Sequence, residues 1–269
     1  MIGPAIAVVV ALAVVTAAGG AALGPGGRAK QTVTLLASKG PRPAAEPGAE
    51  AVAQRFVAAE LEKLGYRVVL QRVGLPNGRS TRNVVGLTPG RPKVVIVAHL
   101  DGVRGSPAAN DNASGVAVLL ELAASLRAES GVLVAATGAE ERAVTGSREH
   151  LGALRLLRGI SPQARRGVRL AVALDMVGVG TRLHVRGIER QPNRSARLLL
   201  SRGGSTYLRD DGESDHDELT RNELPAAWLQ WRTDACWHES CDVARRVDAR
   251  KLEAAFRVVL DAAFLALKS

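Results

Sequence analysis

The sequence predicts an α/β fold, a three-layer α/β/α sandwich around a central, mostly parallel mixed sheet. Short apolar segments alternate with segments of helical spacing, which is the order expected when helices connect the strands of one sheet. The central strand segments, PKVVIVAH at 92–99 and GVLVAAT at 131–137, are apolar at nearly every position. Such continuous runs are typical of strands that are buried on both faces.

The predicted elements follow from these patterns in chain order. An amphipathic helix over 45–64 ends at Gly65, and a closing helix over 248–268 has Asp248 as a suitable N-cap. Between these two helices the patterns predict strands at 67–73, 82–87, 92–99, 131–137, 167–178, 182–188 and 225–231, and helices at 112–128, 144–155, 195–202 and 214–222. A chain of 269 residues that is 46% hydrophobic suits one sizeable domain, and we place this domain at 45–269.

The N-terminal segment differs from the rest of the chain in composition. Its first charged side chain is Arg28, and an apolar stretch at 6–15 passes into the small residues TAAGGAA. This order is typical of a secretory signal, although the uncharged run is also long enough to span a bilayer. We therefore predict a signal peptide or N-terminal membrane anchor at 1–27 and a Gly/Pro-rich linker at 28–44. Both alternatives predict an exported protein, either secreted or anchored with its domain outside the cytoplasm.

Charge and cysteine usage limit the possible partners. The net charge is +10, but the arginines are scattered and only 3% of residues are aromatic, so the sequence does not favour nucleic-acid binding. The excess positive charge is expected on a solvated surface, which could attract anionic polymers or lipids. Cys236 and Cys241 lie close together, and in an exported protein this spacing predicts a disulfide that holds the loop carrying His238.

Side chains that can bind metal follow four of the predicted strands. Ligands of open α/β sheets bind at the carboxyl ends of the strands, so side chains at these ends are expected to meet. Each residue alone has an ordinary interpretation as a helix cap, a turn residue or a solvated charge. Together they provide two histidines and three carboxylates, a suitable ligand set for two divalent ions such as zinc. They are His99, Glu140 with Glu141, Asp175 and His238, with Asp111 at the start of the following helix.

Five motifs carry a resemblance to a known family. They are HLDGVRGSPAANDNASGVAVLLELA, GAEE followed by GS, ALDMVG, SDHDEL followed by LPA, and WHES followed by an aspartate. In this order they resemble the co-catalytic zinc aminopeptidases, the secreted bacterial leucine-type enzymes of peptidase clan MH, to which glutamate carboxypeptidases and glutaminyl cyclases are related. The resemblance covers the chain from about residue 45 to the C-terminus and identifies 45–269 as a zinc peptidase domain.

The resemblance implies a role for each candidate residue. One Zn²⁺ is assigned to His99 and Asp175, the other to Glu141 and His238, and Asp111 bridges both. Glu140 is assigned as general base, and a cis peptide is expected after Asp111. The two ions are balanced by three carboxylates and a bridging hydroxide, so the site can be buried without net charge.

The implied activity is a zinc exopeptidase that hydrolyses the N-terminal residue, an apolar one, from peptides with a free N-terminus, and we expect a monomer. A water shared by the two zinc ions would have a pKa near 7 and attack the scissile carbonyl, with Glu140 transferring the proton.

Several positions beside the ligands need separate interpretation. Asp101 is expected to accept the N–H of His99 and orient its ring. Many relatives have a tyrosine where this chain has Trp237, whose indole N–H is a candidate donor to the oxyanion. His216 is interpreted as a pocket residue or as a residue that supports a ligand from behind, and not as a ligand itself. His150 and His184 are interpreted as ordinary surface or strand residues.

Two other functions are compatible with the same scaffold. One is a glutaminyl cyclase-like acyltransferase that uses a single zinc ion. The other is a catalytically dead, membrane-anchored binding protein. The complete set of five ligands and a base in this sequence favours the peptidase over both.

Overall fold

Eight strands form a mixed sheet between two layers of helices, as the sequence predicts. The structure is a computed structural model that describes residues 22–268. The strands are β1 (Arg67–Gly74), β2 (Ser80–Leu87), β3 (Val94–His99), β4 (Val132–Thr137), β5 (Leu170–Leu174), β6 (Arg182–Gly187), β7 (Thr206–Arg209) and β8 (Ala227–Arg232). The helices are α1 (Pro25–Ala37), α2 (Ala49–Lys63), α3 (Ser114–Leu126), α4 (Arg142–Thr145), α5 (Leu151–Arg158), α6 (Pro162–Gly167), α7 (Arg194–Leu200), α8 (His216–Arg221) and α9 (Ala249–Lys268).

The centre of the sheet is parallel, and antiparallel pairs join this centre to the outer strands on both sides. The strand order is β1-β2-β4-β3-β5-β8-β6-β7. Neighbours among β4, β3, β5 and β8 are parallel, whereas β2 pairs with β4 and β6 pairs with β8 in antiparallel fashion. The carboxyl ends of four adjacent strands therefore lie at one edge of the sheet, where the sequence predicts the site.

The two faces of the sheet bury separate apolar clusters. In β3, Val94 and Ile96 pack in the cluster that includes residues of α1, α2, α3, α7 and α9. Val95 and Val97 point to the other face and pack with residues of α5 and α8. This alternation explains why the central strands are apolar at every position.

The predicted linker at 28–44 is wrong over its first ten residues, which belong to helix α1. Pro25 stands in the first turn of this helix, where its missing N–H and restricted φ are favourable. Ala29, Val33 and Leu36 recur at helical spacing and are buried. A Cβ atom on Gly26 would lie 2.2 Å from the carbonyl oxygen of Ala249, so glycine permits the close packing of α1 on α9. Glycine and proline here serve helix packing, not a flexible connection.

Arg42, in the second half of the predicted linker, is fully buried. Its guanidinium donates hydrogen bonds to the carbonyls of Leu36, Leu100, Pro107 and Ala108. It thus joins the N-terminal segment to the chain on either side of the loop that follows β3.

Other differences are local. The helix predicted at 144–155 is two helices, because Gly146 ends α4 at φ 68° in the left-handed region. Strand β7 and helix α6 are not predicted. The Cys236–Cys241 disulfide is present, as predicted.

The predicted signal peptide or membrane anchor lies mostly outside the described residues, which begin at residue 22. Between residues 22 and 268, no helix combines the length and apolar character that crossing a membrane requires.

Candidate metal centre

The strand ends bring the predicted metal-binding side chains together. His99 is the last residue of β3, Asp175 follows β5, and Glu140 and Glu141 follow β4. Asp111 lies in an irregular turn over Ala109–Ala113 that leads into α3. These five side chains are buried, whereas His238, from the loop after β8, keeps 29% of its side chain exposed.

Asp111 stands between the two histidines. One of its carboxylate oxygens lies 3.1 Å from His99 Nε2, and the other lies 3.2 Å from His238 Nε2. His99 Nε2 is also 3.4 Å from a carboxylate oxygen of Asp175, and His238 Nε2 is 3.0 Å from one of Glu141. Two groups, each with one histidine and one carboxylate, are therefore joined through the two oxygens of Asp111.

The cluster is strongly anionic for a buried site. Burial raises the pKa of Glu140 well above its usual range and raises that of Glu141 to about 7, with neighbouring carboxylates adding to both effects. Burial alone would lower the pKa of the histidines. The carboxylates around them reverse the effect, raising the pKa of His99 and bringing that of His238 to about 10. Without metal, this cluster therefore retains protons that a bound cation would displace.

Two buried oxygens support a cation at this place. Glu141 Oε1 and Asp175 Oδ1 have no hydrogen-bond partner among residues 22–268. A buried acceptor without a partner costs about 1–3 kcal/mol, so such atoms need an explanation. Two sets of residues have potential ligand atoms close enough to share an ion. They are His99 with Asp111 and Glu141, and His99 with Glu140 and Asp175. Imidazole nitrogen and carboxylate oxygen are ligands of zinc, so the residues present fit zinc.

Asp101 acts differently from the sequence expectation. His99 Nδ1 is 3.1 Å from the backbone carbonyl oxygen of Asp101, while the nearest carboxylate oxygen is 3.9 Å away. The carboxylate accepts the backbone N–H groups of Glu140 and Glu141, both at 3.1 Å. The main chain of Asp101 therefore orients His99, and its buried side chain positions the two glutamates.

Asp242 supports Asp111 in a similar way. It is fully buried, and its carboxylate accepts the backbone N–H groups of Asn110 at 2.8 Å and Asp111 at 3.0 Å. The peptide bond between Asp111 and Asn112 is cis, as the resemblance implies. Asp242 is the aspartate of the WHES motif, which was the only sequence signal for it.

Asp175 is positioned by two neighbours. Ser214 Oγ donates to its carboxylate at 2.8 Å, and the indole N–H of Trp228 donates to its carbonyl oxygen at 2.9 Å. His216 lies behind this indole, with ring centroids 5.6 Å apart and Nε2 3.1 Å from an Asp210 carboxylate oxygen. His216 is thus fully buried behind Trp228, does not belong to the pocket lining, and is paired away from the metal ligands.

The interpretation of His150 as an ordinary surface or strand residue is wrong. It is buried just before α5, with Nε2 3.4 Å from Glu140 Oε1, and its backbone N–H donates to Glu218. Burial lowers its pKa to about 3, and Arg142 adds to this effect, so the imidazole beside Glu140 is neutral. The sequence does not predict this position, because the burial of His150 depends on contact with Glu218 of helix α8, which is far away in sequence. His184 is a partly exposed strand residue, as expected.

A pocket of about 490 Å³ opens beside the cluster and includes its ligands among its lining residues. Trp237 lies at this pocket with 56% of its surface exposed, and its ring stacks on His238 at a centroid distance of 4.2 Å. The opposite wall is formed by strands β6 and β8, through Arg186, Trp228 and Gln230.

Comparisons with known proteins give a family match for this chain. Residues 83–263 match the model of the family described as Peptidase family M28. Aminopeptidase YwaD of Bacillus subtilis is 27% identical over 71% of this chain and 46% of its own length. A probable lipoprotein aminopeptidase, LpqL of Mycobacterium tuberculosis, is 31% identical over 55% of this chain and 34% of its own length. The chain thus spans less than half the length of either relative.

Solved structures match over a larger share. A zinc aminopeptidase from Bacillus subtilis has a TM-score of 0.81 at 18% identity, covering 90% of this chain and 95% of the other. Glutaminyl cyclases are also among the structural matches. At this level of identity, these likenesses establish the α/β fold.

Proposed function

Because this chain belongs to peptidase family M28, we propose that it is a zinc-dependent aminopeptidase that hydrolyses the N-terminal residue from peptides. The observation that carries this proposal is the position of Asp111, whose two oxygens face two different histidines at 3.1 and 3.2 Å. A carboxylate in this position suits a pair of metal ions that share one ligand.

Five residues would hold the two ions. His99 and Asp175 would bind one, Glu141 and His238 would bind the other, and Asp111 would bind both. When bound, a zinc pair lowers the pKa of a water towards 7 and polarises the carbonyl of the scissile bond.

Glu140 is the residue proposed to move the proton. Its carboxylate lies beside the ligands, 4.0 Å from His99 Nε2. It would accept the proton of the attacking water and deliver it to the amine that leaves. His150 lies on the other oxygen of Glu140, and this buried imidazole would limit the orientations open to the carboxylate.

The end of the peptide would be selected by charge. A free α-amine is positive, and Glu140 is a carboxylate of the site wall that is not a proposed zinc ligand. An acetylated N-terminus lacks this charge and adds volume, so it would bind poorly.

We also propose that the protein acts outside the cytoplasm. The Cys236–Cys241 disulfide supports this location, because disulfides persist in oxidising compartments. The lipoprotein description of a curated relative points the same way.

Metal analysis and a substrate panel test the proposal together. The full chain is loaded with zinc, dialysed, and assayed on aminoacyl amides of 7-amino-4-methylcoumarin, on their N-acetylated forms and on a peptide with N-terminal glutamine. We expect about two zinc ions per chain and cleavage only of substrates with a free amine. One zinc ion with cyclisation of the glutamine would favour the cyclase. Two zinc ions without turnover would favour the dead scaffold, and release of the C-terminal residue from the glutamine peptide would indicate a carboxypeptidase.

A further inference from the structure

The wall formed by β6 and β8 contains a buried arginine that the catalytic role does not use. Arg186 on β6 pairs in register with Trp228 on β8, and the side chains of Arg186, Trp228 and Gln230 all line the pocket. The residues that alternate with them, Val185 and Leu229, are buried in the apolar core on the other face of the sheet. An arginine at such a buried strand position is costly unless it meets acceptors.

Arg186 is connected to the proposed metal ligand Asp175 through one side chain, that of Trp228. Its guanidinium lies 4.0 Å from the ring centroid of Trp228, and the indole N–H of Trp228 donates to the carbonyl of Asp175. If a peptide is placed with its scissile carbonyl at the metal ligands, that carbonyl lies next to this wall. The side chain of the N-terminal residue is then directed along Trp228.

The hydrogen-bonding capacity of Arg186 is only partly used within the protein. Nη1 donates to Gln230 Oε1 at 3.0 Å, and Nη2 donates to a Glu213 carboxylate oxygen at 2.8 Å. Nε has no hydrogen-bond partner among the residues that the structure describes, and Asp210 is 3.8 Å from it. The side chain of Glu213 is 62% exposed, so its carboxylate can leave the guanidinium and be hydrated by solvent.

We propose that Arg186 determines substrate specificity by binding the carboxylate of an aspartate or glutamate at the N-terminus of the peptide. This inference rests on the proposed aminopeptidase activity. The substrate carboxylate replaces Glu213 on the guanidinium, so the charge of the wall stays balanced. An apolar first side chain leaves Glu213 in place and gains no charge-assisted hydrogen bond. This preference differs from the apolar one that the family resemblance implies.

Neighbouring side chains favour this choice of ligand. A carboxylate is the group that arginine binds most specifically, because its planar donors can match two oxygens. Within residues 22–268, the amide nitrogen of Gln230 donates to the sulfur of Met176, a weak acceptor, at 3.4 Å. A second donor is therefore available beside the guanidinium for the other carboxylate oxygen.

The test compares acidic and apolar substrates on the zinc-loaded full chain. We measure kcat/KM for glutamyl, aspartyl, leucyl and methionyl amides of 7-amino-4-methylcoumarin. The unmodified protein should prefer the acidic pair. Arg186→Met should lower the ratio of glutamyl to leucyl kcat/KM about tenfold or more. Arg182→Met is the matched control, since it removes the same charge from an exposed position of the same strand and should leave the ratio unchanged.

A second variant keeps the test valid if Arg186→Met does not fold. Glu213→Gln removes the competing carboxylate from an exposed position and should raise kcat/KM for the glutamyl substrate. A wild-type preference for leucyl over glutamyl substrate, or an equal loss on both substrates in Arg186→Met, would overturn the proposal. So would a lower glutamyl rate in Glu213→Gln.

Calorimetry separates this proposal from the aminopeptidase activity. L-glutamate should bind the zinc-loaded protein more tightly than L-leucine, and Arg186→Met should remove the difference. Equal binding of the two amino acids refutes the role of Arg186 even if peptides are cleaved. Absence of cleavage of every free-amine substrate refutes the activity, whatever the calorimetry gives.

Discussion

Replacing Asp242 with asparagine should weaken zinc binding although Asp242 is not a proposed ligand. Its carboxylate accepts the N–H groups of Asn110 and Asp111 at 2.8 and 3.0 Å. An asparagine keeps one acceptor and turns an NH₂ group towards the other N–H, so one bond is lost and two donors face each other.

The size of the effect follows from this exchange. A hydrogen bond to a charged group contributes about 1.5–3 kcal/mol. Burial raises the pKa of Asp242 to about 6, because desolvation disfavours the ionised carboxylate. Asparagine carries no charge and avoids this desolvation cost. We therefore use the lower part of the range of hydrogen-bond free energies. Loss of residues that position ligands typically lowers metal affinity about 10–100-fold. We expect Asp242→Asn to bind zinc about tenfold more weakly.

Competition with a fluorescent zinc chelator measures this affinity. Asp248→Asn is a suitable control, because Asp248 caps α9 through the backbone N–H of Arg250 and has no contact with the proposed ligands among the described residues. If Asp242→Asn binds two zinc ions as tightly as the unmodified chain, the positioning role of Asp242 is refuted.

Three further predictions concern the same cluster. Glu140→Gln should keep both zinc ions by elemental analysis and lose most hydrolysis, on the order of 100-fold or more; full activity would contradict its role as base. Asp111→Ala should lose zinc from both sites while Asp175→Ala loses it mainly from one, and normal stoichiometry in Asp111→Ala would disprove the bridge. In the zinc-free protein, the pKa of His238 is about 10 against 6.5 when unfolded, so the folded chain holds a proton that the unfolded chain releases. The free energy of unfolding should therefore fall between pH 7 and 9, as urea titrations can measure, and a rise would contradict this.

The central sheet and the metal-binding residues could be predicted because they leave local signals. Each central strand is a continuous apolar run, and the candidate ligands follow such runs closely or stand at the start of the next helix, except His238, which lies further along the loop after β8. The topology of parallel strands then brings His99, Glu141 and Asp175 to one edge without any knowledge of long-range contacts.

The residues that sequence reasoning missed depend on contacts between distant segments. His150 becomes a neighbour of Glu140 only because α5 begins there and α8 covers it. The carboxylate of Asp101 positions the glutamates because the turn after β3 points its carbonyl, and not its side chain, at His99. The sequence predicts a linker over most of α1 because glycine and proline are common both in linkers and at helix starts, and only packing against α9 distinguishes the two.

The burial of Arg42 shows that the family match and the folded structure begin at different residues. The recurrent family segment begins at residue 83, yet the donor for the carbonyls of Leu100, Pro107 and Ala108 lies forty residues before it. Burial lowers the pKa of Arg42 to about 10, which still leaves it protonated near neutral pH. The folding unit therefore begins ahead of the segment that the family model matches. A recombinant fragment cut at the family boundary would expose the metal-binding loop to solvent, so expression of the catalytic unit should start ahead of α1.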